Sequence, residues 1–440
     1  LDLDELRENA KTDELKRDMD FILAIRNARV DDRFGLKGEP LNRIRNPPRE
    51  RTPVDDPAVR LAIHLYDILC KSSDQAYHDV RGAIQTCFPD IKILSLHNVK
   101  QLIRDLTGLD EVKVDMCTDA CVAFDGPYAD LEHCPHCGIS RYDPKKLARS
   151  NGKNKIPRKV TITYLVGPMI QARWRHRDSA WAMEYRNRRT QALSNELVRN
   201  HGLPDRYEDF ITGTSYVNAV RKGLIRPEDT TLIGSTDGAQ LYAQKDSDVW
   251  VLIWIFTDIS PDTRYKKKSI MIGVVIPGPN HPKYLPSFLF RSFHHISALQ
   301  KEGLRIWDGY ANREFLSRVF LALLGADGPG LLAFSNLVGH NGLVGCRMHC
   351  PLEGRRFPGS STYYPVLISP EGYTLDSLGD ISPYDLSSGS SERYIEQLKR
   401  LMKARNKTHH ATLRKQTGIV GPSMVLGLQP GAFFGIPECF

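Results

Sequence analysis

Two short apolar runs each end in an aspartate followed by glycine, Thr230-Thr-Leu-Ile-Gly-Ser-Thr-Asp237-Gly238 and Phe320-Leu-Ala-Leu-Leu-Gly-Ala-Asp327-Gly328. Each reads as a strand carrying a carboxylate at its tip. If the strands are neighbours, Asp237 and Asp327 can share divalent ions, the arrangement by which two-metal sites stabilise both the attacking and the leaving oxygen of a phosphodiester. Taken singly, each Asp-Gly is also an ordinary turn. Asp246, Asp248, Asp258, Asp262 and Asp308 fall in turns or loops, where solvated carboxylates are expected, and Asp258, at a strand end, is the reserve candidate.

A second set of chemical residues lies upstream. Cys117-x3-Cys121 and Cys134-x2-Cys137, twelve residues apart, have the paired spacing with which two knuckles close a tetrahedral thiolate site for Zn2+. The alternatives are unligated core cysteines, or His133 or His136 in place of one thiolate. A closed quartet has no open position for substrate, so its role would be structural, and a single quartet argues against a two-zinc RING. Downstream, Cys346-x2-His349 with Cys350 reads either as half of a second zinc site or as a brace for the loop after Asp327. Its missing partners would come from His340, from His294 or His295, or from beyond residue 440.

Composition suits a globular nucleic-acid protein without requiring one. The 440 residues are 41% hydrophobic and 25% charged, with a net charge of +8 and a pI near 8.9, so an anionic partner is favoured. Basic residues bunch at Lys145–Lys159, Arg173–Arg177, Arg186–Arg189, Arg264–Lys268 and Lys399–Lys415, interleaved with Trp174, Trp181, Tyr185 and Tyr265. That pattern fits either a phosphate-tracking surface or solvated helix faces. For the aromatic residues packing is preferred to base stacking. Nine cysteines, an odd number with four in tight pairs, indicate metal ligation inside the cell and not a disulfide framework; Cys70 and Cys87 are expected to be buried packing residues. The acidic, amphipathic start does not read as a signal peptide, and the most hydrophobic stretch, Val249 to Phe256, is too short to span a bilayer. The lack of an initial Met and the ending at Pro437-Glu-Cys-Phe440 read as an internal piece of a longer chain.

Periodicity then sets out the elements that must position these groups. Residues 1–56 read as a charged helix and linker, 57–112 as a helical module, 113–145 as the four-cysteine zinc-ribbon-like module, 146–228 as a basic linker and helices, and 229–440 as the catalytic core. Within that core Thr231–Tyr242, Val249–Thr257 and Ser269–Ile276 form an antiparallel meander, Ser287–Glu302 a helix closed by Gly303, and Phe320–Ala326 a fourth strand. A helical crossover allows the fourth strand to lie parallel to the first. Three antiparallel strands, a crossover helix and a parallel strand make the order of an α/β, RNase H-like core, with Asp237 and Asp327 at one edge.

Several motifs, as an ordered set, resemble a known family. They are Met116-Cys-Thr-Asp-Ala-Cys-Val-Ala-Phe-Asp-Gly-Pro127, Cys134-Pro-His-Cys137 with Arg141-Tyr142, Ser235-Thr-Asp-Gly-Ala-Gln-Leu-Tyr242, Tyr265-Lys-Lys-Lys268, Ile276-Pro-Gly-Pro-Asn280 and Gly339-His-Asn-Gly-Leu-Val-Gly-Cys346. From about residue 95 onward the chain is similar to CACTA-type (En/Spm) transposases, particularly those of fungal transposons. The resemblance implies a DDE/D transposase of the RNase H-like superfamily that cuts at terminal inverted repeats and joins the element to target DNA. It further implies Mg2+ or Mn2+ at the acids, a homo-oligomer on DNA and a nuclear location. Asp237 and Asp327 match the first two acids, and Cys346 and His349 match the family's Cys-x2-His signature. The third acid is not assigned: Asp376, Asp380, Asp385, Glu392 and Glu396 lie in the region, or it falls past Phe440, in which case the core is truncated. The alternatives are a catalytically inactive, transposase-derived DNA-binding fragment and a zinc-stabilised interaction module with no DNA role.

Overall fold

Runs of β-branched and aromatic residues build the centre of a six-stranded mixed sheet. The computed structural model describes residues 1–50, 52–240, 248–374 and 379–429, so Asp246, Asp376 and Cys439 lie outside the described residues. In chain order the strands are β1 (Glu111–Asp115), β2 (Val160–Tyr164), β3 (Thr230–Gln240), β4 (Asp248–Phe256), β5 (Met271–Pro277), β6 (Leu304–Asp308), β7 (Arg313–Ser317) and β8 (Val319–Ala326). The sheet runs β1-β2-β5-β4-β3-β8, and β6 and β7 form a separate hairpin. Pairing is antiparallel throughout except between β3 and β8, which are parallel.

The meander and its parallel fourth strand therefore lie where the hydrophobic pattern places them. Strands β1 and β2 are five residues each; β1 spans the boundary between the stretches read as the helical module and the four-cysteine module, and β2 lies in the one read as a basic linker and helices. They extend the sheet beyond β5, because a run that short gives little period-2 signal. Between β5 and β8 the Leu285–Glu302 helix crosses the sheet with Phe288, Leu289, Phe293, Ile296 and Leu299 all buried. Trp254, on β4, is fully buried and needs glycine on both sides. A Cβ at Gly234 on β3 would stand 2.8 Å from its ring, and one at Gly273 on β5 would stand 2.4 Å from its indole nitrogen.

The N-terminal 56 residues are built into this core and not only a helix with a linker. Three helices, Leu3–Asn9, Asp13–Arg26 and Gly38–Arg45, occupy the segment. Phe21 meets the rings of Tyr128, Tyr284 and Phe290 edge-on at 5.1, 5.4 and 5.7 Å. Leu15, Met19 and Ile22 are buried against a second cluster with Tyr394, Leu398 and Leu401. Charged residues between these apolar positions hide the helical period. Helices Pro57–Ile68, Asp74–Cys87 and Leu96–Thr107 gather around their own small core of Ala62, Tyr77 and Val99. Cys70 and Cys87, expected inside, are exposed, because that core is small and both lie at the ends of their helices. No helix among the described residues is long and apolar enough to cross a membrane.

Asp258, the reserve metal ligand, is instead a structural ion. It is 3% exposed; Arg186 Nε donates to its Oδ1 at 2.8 Å and the Thr231 N–H to its Oδ2 at 3.0 Å. Burial pushes its carboxyl up, and the Arg186 guanidinium opposes that shift. Removing one partner of a buried pair strands the other charge. Arg186→Met is expected to lower the unfolding free energy by about 3–5 kcal/mol in chemical denaturation, with Arg186→Met/Asp258→Leu recovering most of the loss.

Candidate metal sites

Two tight knuckles bring the four cysteine thiols together. In the first, the Cys117 N–H donates to Val122 O at 2.9 Å and the Ala120 N–H to Cys117 O at 3.0 Å, with Ala120 at φ 53°. In the second, the Cys134 N–H donates to Ile139 O at 2.9 Å and the Gly138 N–H to Cys134 O at 2.8 Å, with Gly138 at φ 72°. The left-handed turn in each hairpin folds its two cysteines to one side. The thiols of Cys117, Cys121, Cys134 and Cys137 all lie within 4.8 Å of one another, three of the residues buried and Cys137 exposed. His133 and His136 are exposed and outside this group, so the donor set is four sulfurs.

Burial sets the protonation of the cluster. Burial pushes the Cys121 thiol up to about 11, with the neighbouring thiols adding to the shift, and the Cys134 thiol up to about 12 against the Cys137 and His136 N–H groups, whereas the exposed Cys137 thiol is lowered by the Ile139 N–H and the other thiols. Without a metal the Cys121 and Cys134 thiols hold their protons; a divalent ion would displace protons and be held by thiolates. The surroundings are rigid. The Lys283 N–H donates to Ala120 O and the Tyr284 N–H to Cys121 O, both at 3.0 Å, which ties the first knuckle to the start of the crossover helix. Arg291 on that helix grips Asp125 through two bonds of 3.0 and 2.7 Å. Lys283, Asp125 and Arg291 gave no sign of this role in the sequence, because the two halves of the brace are more than 160 residues apart.

At the other end of the sheet, parallel pairing sets Thr236 opposite Ala326, the residues immediately before Asp237 and Asp327. The two acids thus follow paired residues of adjacent strands in the same direction, Asp327 just past the end of β8 but Asp237 still inside β3 and paired with Val251 of β4, not at the strand tip that the apolar run suggested. Both are exposed, and neither forms an ion pair among the described residues. Asp327 caps the Gly328–Ser335 helix, its Oδ1 accepting the Gly330 N–H at 2.8 Å. The second oxygen is left for another ligand. Gly330 is the residue the sequence did not single out: a Cβ there would stand 2.7 Å from that of Ala326 and 2.9 Å from Asp327 Oδ1. Among the described residues the cysteine quartet is the only group of three or more His, Cys, Asp or Glu donors at metal-holding distance. Asp380, Asp385, Glu392 and Glu396 therefore do not join the pair. Asp380 instead accepts the Ser369 N–H at 2.8 Å, and Glu392 and Glu396 are exposed on the Ser391–Met402 helix.

Among the described residues Cys346, His349 and Cys350 do not close a second zinc site. The Cys346 thiol, which burial would raise, is lowered by the Cys350 N–H and thiol. His349 is fully buried with no hydrogen-bond partner for either ring nitrogen among the described residues, and burial brings it down to about 4. His294 and His295 are not its partners: the first faces Asp32 at 2.9 Å and the second accepts the Gly167 N–H at 3.2 Å. His340 is exposed.

Several residues read as surface charge are internal. Arg264 is fully buried and bonds both oxygens of Asp209 at 2.9 and 2.8 Å, Arg186 is committed to Asp258, and Arg189 pairs with Glu196 at 2.8 Å. Asp308, expected in a solvated turn, is 1% exposed and accepts the Tyr310 and Ala311 N–H groups. Trp174 packs on Phe315 at 5.0 Å as expected, whereas Trp181 is 47% exposed with Arg188 stacked 3.8 Å above it.

No protein-family model matches the chain, and no curated protein matches it.

The four-sulfur geometry predicts that the chain takes up one Co2+ with the intense sulfur-to-metal charge-transfer absorption of a thiolate site. Uptake strengthens as pH rises, since protons must leave the thiols, and Cys134→Ser weakens it at least tenfold. An absorption titration of wild type and variant at two pH values checks this.

Proposed function

We propose that this protein is a DNA transposase of the RNase H-like, DDE/D kind, cutting transposon ends and joining them to target DNA by metal-dependent phosphodiester chemistry. The observation that carries the reading is the parallel register of β3 and β8, with Asp237 and Asp327 each one residue beyond the Thr236–Ala326 pair. The strand order β5-β4-β3-β8 with a crossover helix is the order of an RNase H-like core. The motif set similar to CACTA-type transposases supplies the rest, including the DNA substrate, a homo-oligomeric assembly and a nuclear location.

In this reading Asp237 and Asp327 hold Mg2+ or Mn2+, which when bound would polarise the phosphate and lower the pKa of a water or a DNA 3'-hydroxyl. The chain's own contribution is placement. The β-ladder sets the spacing of the two carboxylates, and the first turn of the Gly328–Ser335 helix fixes one oxygen of Asp327 through the Gly330 N–H, where the helix dipole favours the anion. The close approach of Gly330 requires the absence of a side chain. The cysteine quartet would take Zn2+, the ion suited to four thiolates, and brace the crossover helix.

One observation favours the second reading, an inactive transposase-derived DNA-binding fragment: among the described residues no third carboxylate stands with Asp237 and Asp327. Fe2+-driven hydroxyl-radical cleavage separates metal binding at the pair from its absence. Backbone cuts are expected near both Asp237 and Asp327, suppressed by Mg2+ and lost in Asp237→Asn. Gly330→Ala is expected to weaken them at least threefold. Absence of cuts in a folded chain that retains its thiolate-bound metal would sink the catalytic reading and leave the fragment. Where cuts appear, Mg2+-dependent nicking of a supercoiled plasmid tests for catalysis.

A further inference from the structure

Residues Gly278–Tyr284, between β5 and the crossover helix, form a strap that is bonded at both ends. At its start the Gly278 N–H donates to Asp248 O at 2.6 Å, so closely that a Cβ at Gly278 would stand 2.1 Å from that oxygen. Three residues on, the His281 ring meets the Trp250 ring edge-on at 5.1 Å. Asp248 and Trp250 belong to β4, where Trp250 pairs with Gly238 and the next residue, Val251, with Asp237. The indole lies over β3 at Gly238, where a Cβ would stand 3.1 Å from the ring. The first half of the strap thus rests on the rungs of the ladder that hold Asp237.

The second half is held by the first cysteine knuckle. The Lys283 and Tyr284 N–H groups donate to Ala120 O and Cys121 O, both at 3.0 Å. Lys159, just ahead of β2, joins the two halves: its ammonium donates to Gly278 O at 2.5 Å and to Thr118 O at 3.5 Å. It is half-buried and forms no ion pair among the described residues, so its donors serve carbonyls alone. Thr118, Ala120 and Cys121, which supply every one of these knuckle acceptors, lie in the turn that Cys117 opens and Cys121 closes.

Coupling between two sites needs an element whose arrangement both of them bias. Without metal, backbone bonds alone close the knuckle, and a short surface turn of that kind opens locally at little cost. A metal held by Cys117 and Cys121 would fix the turn by its sulfurs, and with it the carbonyls on which the strap depends. Pro279 and Pro282 restrict the backbone between the two ends, so a shift at one end is passed on and not absorbed.

We infer that this strap carries the state of the cysteine quartet to the carboxylate end of the sheet, so that metal held by the four thiolates fixes the rungs around Asp237, with Lys159, Trp250 and His281 as positioning residues. The inference rests on the metal-ligand reading of Asp237 only for its consequence; the link itself is read without Mg2+. Hydrogen exchange of the full chain compares the Zn2+-loaded and metal-free forms. Zinc is expected to slow exchange at Thr236–Gln240 and Asp248–Val251 by about fivefold or more, and to leave the separate β6–β7 hairpin unchanged. In Lys159→Met/His281→Ala, which is expected to take up Co2+ with the wild-type absorption, the slowing at those rungs falls below about twofold. Lys159→Arg/His281→Phe, which keeps a donor and a ring, restores it. The Mg2+ concentration that half-suppresses the Fe2+ cuts near Asp237 rises by about threefold or more in the first variant and not in the second, a difference that a general loss of stability does not produce. Equal slowing in wild type and the first variant, no slowing in wild type, or the same slowing in the hairpin, which reports the stability of the whole fold, would overturn the link. Absence of Fe2+ cuts from every form would sink the metal-ligand reading of Asp237, and exchange alone then decides the link.

Discussion

The crossover helix is enclosed on nearly every side, and a different part of the chain claims each face. Toward the sheet, Phe293 meets Trp254 at 6.3 Å. Toward the cysteine module, Ser287 Oγ accepts the Ala123 N–H at 2.9 Å and Arg291 binds Asp125. Toward the N-terminal helices, His294 faces Asp32, Glu302 accepts the Val30 N–H and the Lys301 ammonium donates to Arg26 O. Toward the C-terminal end, Gln300 accepts the Gln429 N–H at 3.0 Å. Burying a helix all round removes a large apolar area from water, but it calls for partners for the polar side chains on it, and among the described residues the Ser292 and Ser297 hydroxyls are the buried ones on this helix without one. That requirement couples modules that are distant in the chain, and it holds β8 parallel to β3.

From this one constraint the thiol quartet and the carboxylate pair acquire different characters. The thiol quartet lies against the helix start, closed and mostly buried, with backbone bonds bracing its first knuckle; such a site stabilises and does not turn over. The carboxylates stand exposed on adjacent strands, Asp237 still paired with Val251 of β4 and Asp327 just past the end of β8, and among the described residues neither forms an ion pair with a basic side chain. Ion distribution follows the same division. Arg186 and Arg264 are spent inside the frame on Asp258 and Asp209, where a charge without its partner would be costly.

Residue order by itself determined what depends on near neighbours. The knuckle cysteines lie within about twenty positions of one another, so spacing alone is enough to bring their sulfurs together. The strand runs and the crossover helix carry their period in consecutive residues, and the parallel return of β8 follows from the helix between. Asp237 and Asp327 were legible for the same reason, each closing an uninterrupted apolar run.

Burial and partnership were decided only by the tertiary structure. Asp258 and Asp237 look alike as acids near strand ends, yet one is sealed against an arginine 72 residues earlier and the other faces solvent. Arg26 reaches the carbonyl of Leu426, 400 positions away, and so fastens a segment that reads locally as charged and peripheral. Cys70 and Cys87 turn outward because their three-helix module has room for only a few side chains. Gly234, Gly273 and Gly330 matter through what would collide with a Cβ, which depends on the neighbouring strand or turn. Such contacts are set by which distant surfaces meet when the apolar faces close, and no local period encodes them.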